Sequence, residues 1–343
     1  MNKILIYGAT GYTGKLCARE LVRHGLEPIL AARGKHVQQT AETLGCRSAI
    51  FDLKNEALLL KNLRGVELVI NLAGPFSMTQ NPLIKACVTA QCHYLDIAGE
   101  VEEVRSAFLF DSQAKNAGLM VMPGAGFGVV PTDVAAKLVS EMLPDASQLT
   151  LAYATEGGAS RGTLKTVLNS INATGYRRLN HTLVPARPAE ASLDFTVAGK
   201  KFTAVYNPWR ADLFTAGLST NIPNIETYAV FPGFVVRMMK GRGLWLRDLI
   251  LNRLLRFLPE GPSEKQLRKG ATYVIAVAKN SDGEKRAVSV KGPEAYLFTA
   301  RCLVQLAKKL LSGTYEPGFQ PPSYYGKEIL DKIENVEIYQ NGI

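Results

Sequence analysis

The chain has 343 residues, of which 47% are hydrophobic and 20% are charged, and its formal net charge is +10 at pH 7. This composition is typical of a globular protein and excludes a disordered, collagen-like or disulfide-stapled chain. Single cores stop growing at about 250–300 residues, so the length predicts two domains. The positive charge leaves four kinds of partner open: nucleic acid, an anionic membrane, an acidic protein and a phosphorylated ligand.

The first third of the chain alternates short apolar runs with helical segments. The runs predict strands at residues 4–7, 28–32, 48–51, 68–72, 94–97 and 119–122. The segments between them, such as 15–23 and 81–90, space their apolar residues three and four apart, as helices do. Apolar strands that alternate with helices are typical of a doubly wound parallel sheet of the Rossmann type.

The turn after the first predicted strand carries three glycines in a GxxGxxG arrangement. Glycine lets the chain turn tightly, lets a pyrophosphate approach the backbone and lets the following helix pack on the strand. The helix N-terminus then attracts the phosphates. We therefore predict dinucleotide binding, with a purely structural turn as the alternative. The predicted binding residues are Gly8, Thr10, Gly11, Tyr12, Thr13 and Gly14.

The end of the second strand favours NADP(H) over NAD. NAD-binding proteins carry an acid at this point, whereas NADP-binding proteins carry an arginine near the 2′-phosphate. Here Arg33 and Lys35 follow the strand with no acid beside them. We expect Arg33 to face the phosphate and Lys35 to add charge, although an arginine at a strand end is also a common solvated residue. Asp52, after the third strand, is placed to border the adenine and equally suits a turn.

The fourth strand ends in a small turn at the edge where ligands lie in open α/β sheets. This turn contains Asn71, Ala73, Gly74 and Pro75. We predict that its backbone borders the nicotinamide half of the cofactor. The alternative is a plain loop that leads to a helix starting near Pro82.

The fifth strand supplies two candidates for the chemistry. Tyr94 and Asp96 point to the same face, because strand side chains alternate. Reduction by a nicotinamide needs a proton donor close to the acceptor. We predict Tyr94 as that donor and Asp96 as its orienter, with a buried tyrosine hydroxyl satisfied by a carboxylate as the alternative.

Arg161 is a third catalytic candidate, at the start of a predicted helix after Ser160. Ser160 suits the N-cap of that helix. The helix dipole disfavours a cation at this end, so capping does not explain the arginine. We predict that Arg161 clamps an acidic group of the substrate.

Seven segments, in order along nearly the whole chain, carry a family resemblance. They are residues 7–14, 71–76, 93–100, 123–133, 160–163, 218–224 and 292–296. Together they resemble the saccharopine dehydrogenase-like oxidoreductases, including the trans-acting enoyl reductases. The resemblance implies a Rossmann domain, a second α/β domain with substrate contacts, and nicotinamide-dependent reduction. Gly128 replaces an expected Asp and Asn221 an expected Gly, so substrate identity cannot be carried over.

The predicted organisation is an NADP-binding domain at 1–125 and a substrate and homodimerisation domain at 126–293. The resemblance suggests that the C-terminal helix and tail, 294–343, pack back on the first domain. In the second domain, hairpins turning at 199–200 and 281–283 predict an α+β fold with a mixed sheet.

Half of the net charge lies in residues 234–258, which hold six Lys or Arg residues and one Asp. A nucleic-acid binder would spread its cations along a face, so we expect no nucleic-acid partner. A single helix from Arg242 onward would place cations on one side and leucines on the other, as an interfacial helix does. A solvated cationic face, a membrane contact and a lid over an apolar substrate all remain open.

The five cysteines and four histidines are scattered, which predicts reduced thiols and no metal site. There is no signal-peptide pattern and no apolar run of about 20 residues, so we expect a cytoplasmic protein, with a peripheral membrane position left open. We predict an NADP(H)-dependent oxidoreductase that reduces a C=C or C=N bond of an apolar, lipid-like or carrier-bound small molecule. The alternatives are an NADP-binding redox sensor without turnover and a peripheral lipid-associated protein.

Overall fold

The computed structural model describes residues 4–250, 253, 257 and 259–342. They form two compact units. The first comprises Val130 and the described residues before it, together with Tyr296–Pro322; the second comprises Pro131–Ala295 and the described residues from Ser323 onward. None of the helices in the described part of the chain combines the length and apolar character that a membrane crossing requires.

The strands and helices are numbered in chain order. The strands are β1 Ile4–Tyr7, β2 Ile29–Ala32, β3 Arg47–Ile50, β4 Leu68–Asn71, β5 His93–Asp96, β6 Met120–Met122, β7 Gln148–Glu156, β8 Gly175–Leu179, β9 Thr182–Ala186, β10 Ser192–Val197, β11 Lys200–Tyr206, β12 Asn224–Ala229, β13 Ala271–Lys279, β14 Lys285–Pro293, β15 Gly318–Phe319 and β16 Glu337–Gly342. The helices are α1 Tyr12–Arg23, α2 His36–Leu44, α3 Glu56–Leu63, α4 Phe76–Ala90, α5 Val101–Phe108, α6 Asp111–Asn116, α7 Val130–Met142, α8 Arg161–Ser170, α9 Asp212–Thr220, α10 Gly233–Met239, α11 Leu244–Leu249, α12 Glu264–Lys269, α13 Ala295–Leu311 and α14 Lys327–Asp331.

The first unit contains a seven-stranded sheet in the order β15-β6-β5-β4-β1-β2-β3. Every neighbouring pair is parallel. The order 3-2-1-4-5-6 is that of a Rossmann sheet, in which ligands lie beyond the carboxyl ends of the strands. β1 and β4, at the centre, are buried along their whole length. The predicted fold class is confirmed.

Helix α4 begins earlier than its sequence suggests. We expected a helix from 81, near Pro82, whereas α4 starts at Phe76 and contains Pro82. A proline removes the hydrogen bond to the carbonyl four residues before it and crowds that carbonyl, but it leaves the other hydrogen bonds of the helix in place. The first turn has an independent anchor, because the Thr79 hydroxyl donates to the Ala73 carbonyl at 2.6 Å. The predicted helix start is therefore wrong by five residues.

The second unit contains a mixed sheet, as predicted. Its main path runs β10-β11-β12-β7-β13-β14-β16, with β8 paired to β12 and β9. Among the described residues of this sheet, β12 and β7 form the one parallel pair, and the other pairs are antiparallel. One aromatic cluster on the sheet includes Phe195, Tyr206, Tyr228 and Tyr273.

Two details of the second unit correct the sequence interpretation. The β10–β11 hairpin turns at Ala198 and Gly199, both with positive φ, so Lys200 belongs to the strand and not to the turn. The tail does not all pack on the first domain, because β16 pairs antiparallel with β14 in the second sheet. An ion pair of 2.9 Å between Lys291 and Glu337 joins these strands. An exposed strand edge gains hydrogen bonds by such pairing.

The basic segment does not form one helix over its described part. α10 and α11 are separated by Gly241 and Gly243, whose φ angles are +75° and +71°. Residues in this left-handed conformation end a helix. The prediction of a single helix from Arg242 is therefore wrong at its start. Its remaining positions at Leu251, Asn252, Leu254, Leu255, Arg256 and Leu258 lie outside the described residues.

Candidate functional site

The turn between β1 and α1 requires glycine at two positions for packing alone. Gly8 has a φ of +91°, and a Cβ there would lie 2.6 Å from the backbone nitrogen of Ala73. A Cβ on Gly14 would lie 2.3 Å from the carbonyl oxygen of Gly8. Neither neighbour is a side chain that could move aside. These glycines bring β1, α1 and the turn after β4 into contact.

Gly11 is different, because the protein around it does not require glycine. Its φ is −72°, and an added Cβ would make one ordinary contact of 3.5 Å. Gly11 is the N-cap of α1, it provides no side-chain cap, and the first turn of the helix contains no acidic residue. The backbone N–H groups of such a first turn suit an anion.

Arg33 and Asp52 are exposed just after the carboxyl ends of β2 and β3, which follow β1 and its last residue, Tyr7, on one side of the sheet. Burial raises the pKa of the Tyr7 hydroxyl; the charge of Asp52 raises that pKa further, and the charge of Arg33 lowers it. Both charges therefore act on one hydroxyl at the end of β1. Asp52 also accepts a hydrogen bond of 2.9 Å from the backbone of Lys54, which suits the turn alternative. Lys35 is exposed at the residue before α2.

A hydrogen-bonded turn follows β4. The Asn71 side chain accepts from the Ala73 backbone at 3.1 Å and donates to the Thr79 hydroxyl at 3.1 Å. Thr79 in turn donates to the Ala73 carbonyl. No other part of the described chain lies within 4 Å of the position that a Cβ on Gly74 would occupy. The turn is thus fixed from inside, while the backbone of Gly74 is open. Thr79 was not a candidate in the sequence analysis. The helix was predicted to start at 81, whereas Thr79 lies in the first turn of α4.

Tyr94 and Asp96 lie in a fully buried network. The Tyr94 hydroxyl donates to Asp96 at 2.9 Å and accepts from the Asn71 amide at 2.9 Å. Gln80 donates to the same Asp96 oxygen at 2.7 Å. The other Asp96 oxygen accepts from the backbone of Ala98 and Gly124, at 2.9 and 3.2 Å. The network ties β4, β5, α4 and the chain after β6 together.

The environment of this pair bears on its predicted chemistry. Both residues have 0% of their surface exposed. Burial raises the pKa of Tyr94 well above its ordinary value, and burial also raises the pKa of Asp96 despite its hydrogen bonds. The proton of the Tyr94 hydroxyl is held in a hydrogen bond to the Asp96 carboxylate. These contacts favour the alternative in which the pair satisfies itself in the core.

The chain after β6 is fixed by packing within the first unit. Gly124 has a φ of +70°. A Cβ on Gly126 would lie 2.7 Å from the Thr299 side chain, whose hydroxyl accepts from the Phe127 backbone at 3.1 Å. The glycines of this motif are therefore explained by contacts with α13 and by backbone conformation.

In the second unit, Arg161 is the first residue of α8, as predicted. Ser160 is the N-cap and accepts from the Thr163 backbone at 3.1 Å, which confirms its predicted role. The Arg161 backbone donates to the Glu260 carbonyl at 3.2 Å, and the guanidinium lies 3.9 Å from the Glu260 carboxylate. Both side chains are partly exposed, so this ion pair contributes little to stability. It gives the cation at the helix start a partner within the protein.

A buried polar cluster follows the 123–133 motif and was not predicted. Thr132 donates to Asp212, and the Arg210 guanidinium lies 2.5 Å from the same carboxylate. Asp133 accepts from the Ser323 backbone at 2.9 Å. The pKa of Asp133 is raised to about 6, chiefly by burial and to a smaller extent by the charge of Asp212. The sequence signal was the Pro-Thr-Asp at 131–133, to which we had assigned no role.

Asn221, one of the two departures from the family pattern, has a structural reason. It is the C-cap of α9 with a φ of +56°, in the left-handed conformation. Glycine adopts this conformation without strain and asparagine is the next most tolerant residue. Gly128, the other departure, has only the Cα of Gly99 within reach of an added Cβ, at 4.0 Å.

Comparisons with known proteins agree with this geometry. Residues 4–122 match the family model of the saccharopine dehydrogenase NADP-binding domain. The match covers β1 to β6, six of the seven strands of the parallel sheet. It confirms the family resemblance and the choice of NADP(H) as cofactor.

Among curated relatives, a protein of Mycobacterium tuberculosis named as a trans-acting enoyl reductase is 29% identical over 212 residues. That alignment covers 55% of this chain and 51% of the relative, so the chain spans about half the length of this relative. A saccharopine dehydrogenase-like oxidoreductase of Homo sapiens is 23% identical, with 92% of each chain covered.

Among solved structures, the apo saccharopine dehydrogenase of Saccharomyces cerevisiae has a TM-score of 0.65 with 14% identity. The alignment covers 100% of both chains. At this identity the likeness concerns the fold.

Proposed function

We propose that this chain, whose residues 4–122 are a saccharopine dehydrogenase NADP-binding domain, is an NADP(H)-dependent oxidoreductase that reduces a C=C or C=N bond of an apolar small molecule. The observation that carries the proposal is the glycine turn. Gly8 and Gly14 are required by packing, whereas Gly11 is not, and the approach of a phosphate to the helix N-terminus explains the third glycine.

The residues present fit the cofactor at three places along the carboxyl edge of the sheet. The first turn of α1 offers backbone N–H groups to the pyrophosphate. Arg33 and Lys35 provide exposed positive charge for a 2′-phosphate. The open backbone at Gly74, held by Asn71, would border the nicotinamide. When bound, the cofactor supplies the hydride.

We assign Tyr94 and Asp96 to positioning. Asp96 fixes the backbone at Ala98 and Gly124, and through Tyr94 it fixes Asn71. The loops after β4, β5 and β6 are therefore held by one buried hydrogen-bond network. Its function is to hold the ligand edge of the sheet rigid, which favours a reactive arrangement of two bound molecules.

Two observations bear on the substrate class. The relatives' names include enoyl reductase, which supports a C=C bond. Arg161 is the first residue of a 10-residue helix, where a substrate carboxylate or phosphate would compete with Glu260 for the Arg161 guanidinium. An apolar substrate with an acidic carrier group would satisfy both observations. A homodimer built on the second unit remains part of the proposal.

Cofactor choice is tested by affinity. NADPH should bind more tightly than NADH, and Arg33→Ala should weaken NADPH binding by about 10- to 100-fold, because a charge-assisted contact contributes about 1.5–3 kcal/mol. NADH affinity should change little. Arg47→Ala is the matched control, since Arg47 is exposed at the opposite end of the sheet, where β3 begins. Equal wild-type affinities for NADPH and NADH would contradict the assignment.

Turnover is tested separately with a panel of substrates. NADPH oxidation should be followed with an α,β-unsaturated aldehyde, an enoyl thioester and a cyclic imine. Oxidation with any of these supports the reductase. Tight NADPH binding with no oxidation across the panel would favour the alternative of a redox sensor.

A further inference from the structure

The segment from Phe231 to Ile250 has an unusual surface. Phe234, Leu244 and Trp245 have 43%, 39% and 72% of their surface exposed. Single exposed apolar residues are common, but three large ones within twelve positions of a described segment are not explained by packing of the monomer.

The same segment is firmly attached to the second unit by its other side. Val235, Met238 and Met239 of α10 are buried in a cluster with Leu168 of α8 and with Trp209. Ile250, just after α11, packs against the same cluster. Trp245 and Ile250 are five positions apart, so about 140° separates their directions around a helix. Trp245 is thus directed away from the cluster.

Exposed cations accompany the exposed apolar residues. Arg237, Lys240 and Arg242 are all exposed. Among the residues that the structure describes, none of these three forms an ion pair, whereas Arg247 is paired with Asp248 at 2.5 Å. The surface therefore presents uncompensated positive charge between two sets of apolar side chains.

We propose that this surface, formed by Phe234, Arg237, Lys240, Arg242, Leu244 and Trp245, docks on an anionic lipid bilayer. A bilayer surface offers both an apolar layer and a layer of negative headgroups. Tryptophan is favoured at that boundary because its ring is apolar and its N–H is polar. Lysine and arginine next to such a ring add attraction to the headgroups.

The combination of positive charge and exposed apolar side chains favours an anionic lipid bilayer over nucleic acid, which is anionic but has no apolar layer. Nucleic acid would leave Phe234, Leu244 and Trp245 in water, and its contacts would need cations spread along a path. Of the three cations of this surface, Arg237 lies in the last turn of α10, and Lys240 and Arg242 lie between α10 and α11. Over the described residues, two short helices and the turn between them present this surface, so we infer shallow docking through a turn.

The test is vesicle co-sedimentation of the full chain, with phosphatidylcholine vesicles that contain or lack phosphatidylglycerol. The wild type should bind only the anionic vesicles. A double variant, Lys240→Glu with Arg242→Glu, should bind them at least about 30-fold more weakly, since each basic residue near an anionic surface contributes roughly a factor of five. Trp245→Ser should weaken binding by about tenfold.

The matched control reverses two other exposed cations of the second unit, Lys201 and Lys285, to Glu. It has the same net charge as the test variant and should bind like the wild type. NADPH affinity should be unchanged in all variants, and their urea unfolding midpoints should match that of the wild type, which verifies that both units fold. Tryptophan emission gives a second readout, because Trp209 is buried and donates to the Ala173 carbonyl, so a blue shift on binding reports Trp245.

Three results would overturn the proposal. One is equal sedimentation with both kinds of vesicle. Another is an equal loss of binding in the Lys201 and Lys285 control, which would indicate net charge alone. The third is tight binding to double-stranded DNA or to an acidic protein together with no emission shift on anionic vesicles.

Discussion

Replacing Asp133 by asparagine should stabilise the second unit at neutral pH. The carboxylate is fully buried, and its pKa in the folded protein is raised from 3.8 to about 6, chiefly by burial. Asparagine keeps the shape and carries no charge. Its carbonyl can accept from the Ser323 backbone, as Asp133 does at 2.9 Å, and its amide can donate to the Ser219 hydroxyl, which lies 3.4 Å from Asp133.

The size of the effect follows from the pKa. Between pH 3.8 and 6 the native state holds a proton that the unfolded chain releases, so the free energy of unfolding of the wild type falls as pH rises. The loss is about 0.5 kcal/mol at pH 4 and approaches its full size of about 3 kcal/mol at pH 7, at 1.36 kcal/mol per pKa unit. Relative to the wild type, Asp133→Asn should therefore gain about 2 kcal/mol between pH 4 and pH 7.

Urea unfolding followed by tryptophan emission measures this gain. Both tryptophans, Trp209 and Trp245, belong to the second unit, so the signal reports the unit that holds Asp133. Asp282→Asn, in the exposed turn between β13 and β14, is the control and should give a difference that does not change with pH. If Asp133→Asn also gave a constant difference at both pH values, the argument from burial would be wrong.

Two further predictions use backbone geometry. Gly11→Ala should leave the melting temperature unchanged but weaken NADPH binding at least about tenfold, whereas Gly14→Ala should cost about 3 kcal/mol of stability because its Cβ would meet a carbonyl oxygen. Calorimetry and cofactor titration distinguish the two effects, and equal melting temperatures for both variants would contradict the packing argument. Asn221→Gly should raise the free energy of unfolding by up to about 1 kcal/mol through relief of a left-handed residue, measured by urea unfolding, and a lower urea midpoint would contradict it.

Six of the seven strands of the Rossmann sheet could be predicted because each is a local pattern, whereas the two-residue strand β15 has no such pattern. Apolar runs of four or five residues between turns are a property of neighbouring residues, and so is the glycine turn after β1. The same holds for Arg33 at the end of β2. Local patterns therefore indicated where these strands and the glycine turn lie, and the binding role of Arg33 stays a prediction.

Roles that depend on distant contacts were not found. Thr79 and Gln80 matter because α4 starts at Phe76, and its start depends on a turn anchored by Asn71. The sequence placed Tyr94 and Asp96 on one face but not their depth, which is decided by α4 and by the chain after β6. The Asp133 cluster joins residues more than 70 positions apart, beyond any local pattern.

The division of the first unit into two chain segments affects how the protein is synthesised. β15 and most of α13 belong to that unit, yet they follow the whole of residues 131–295. The ribosome must therefore complete residue 322 before the parallel sheet can gain its last strand. Until then the edge of β6 is without the partner that it has in the finished fold. A protein shortened before Gly318 should consequently expose a strand edge during folding and aggregate more readily than the full chain.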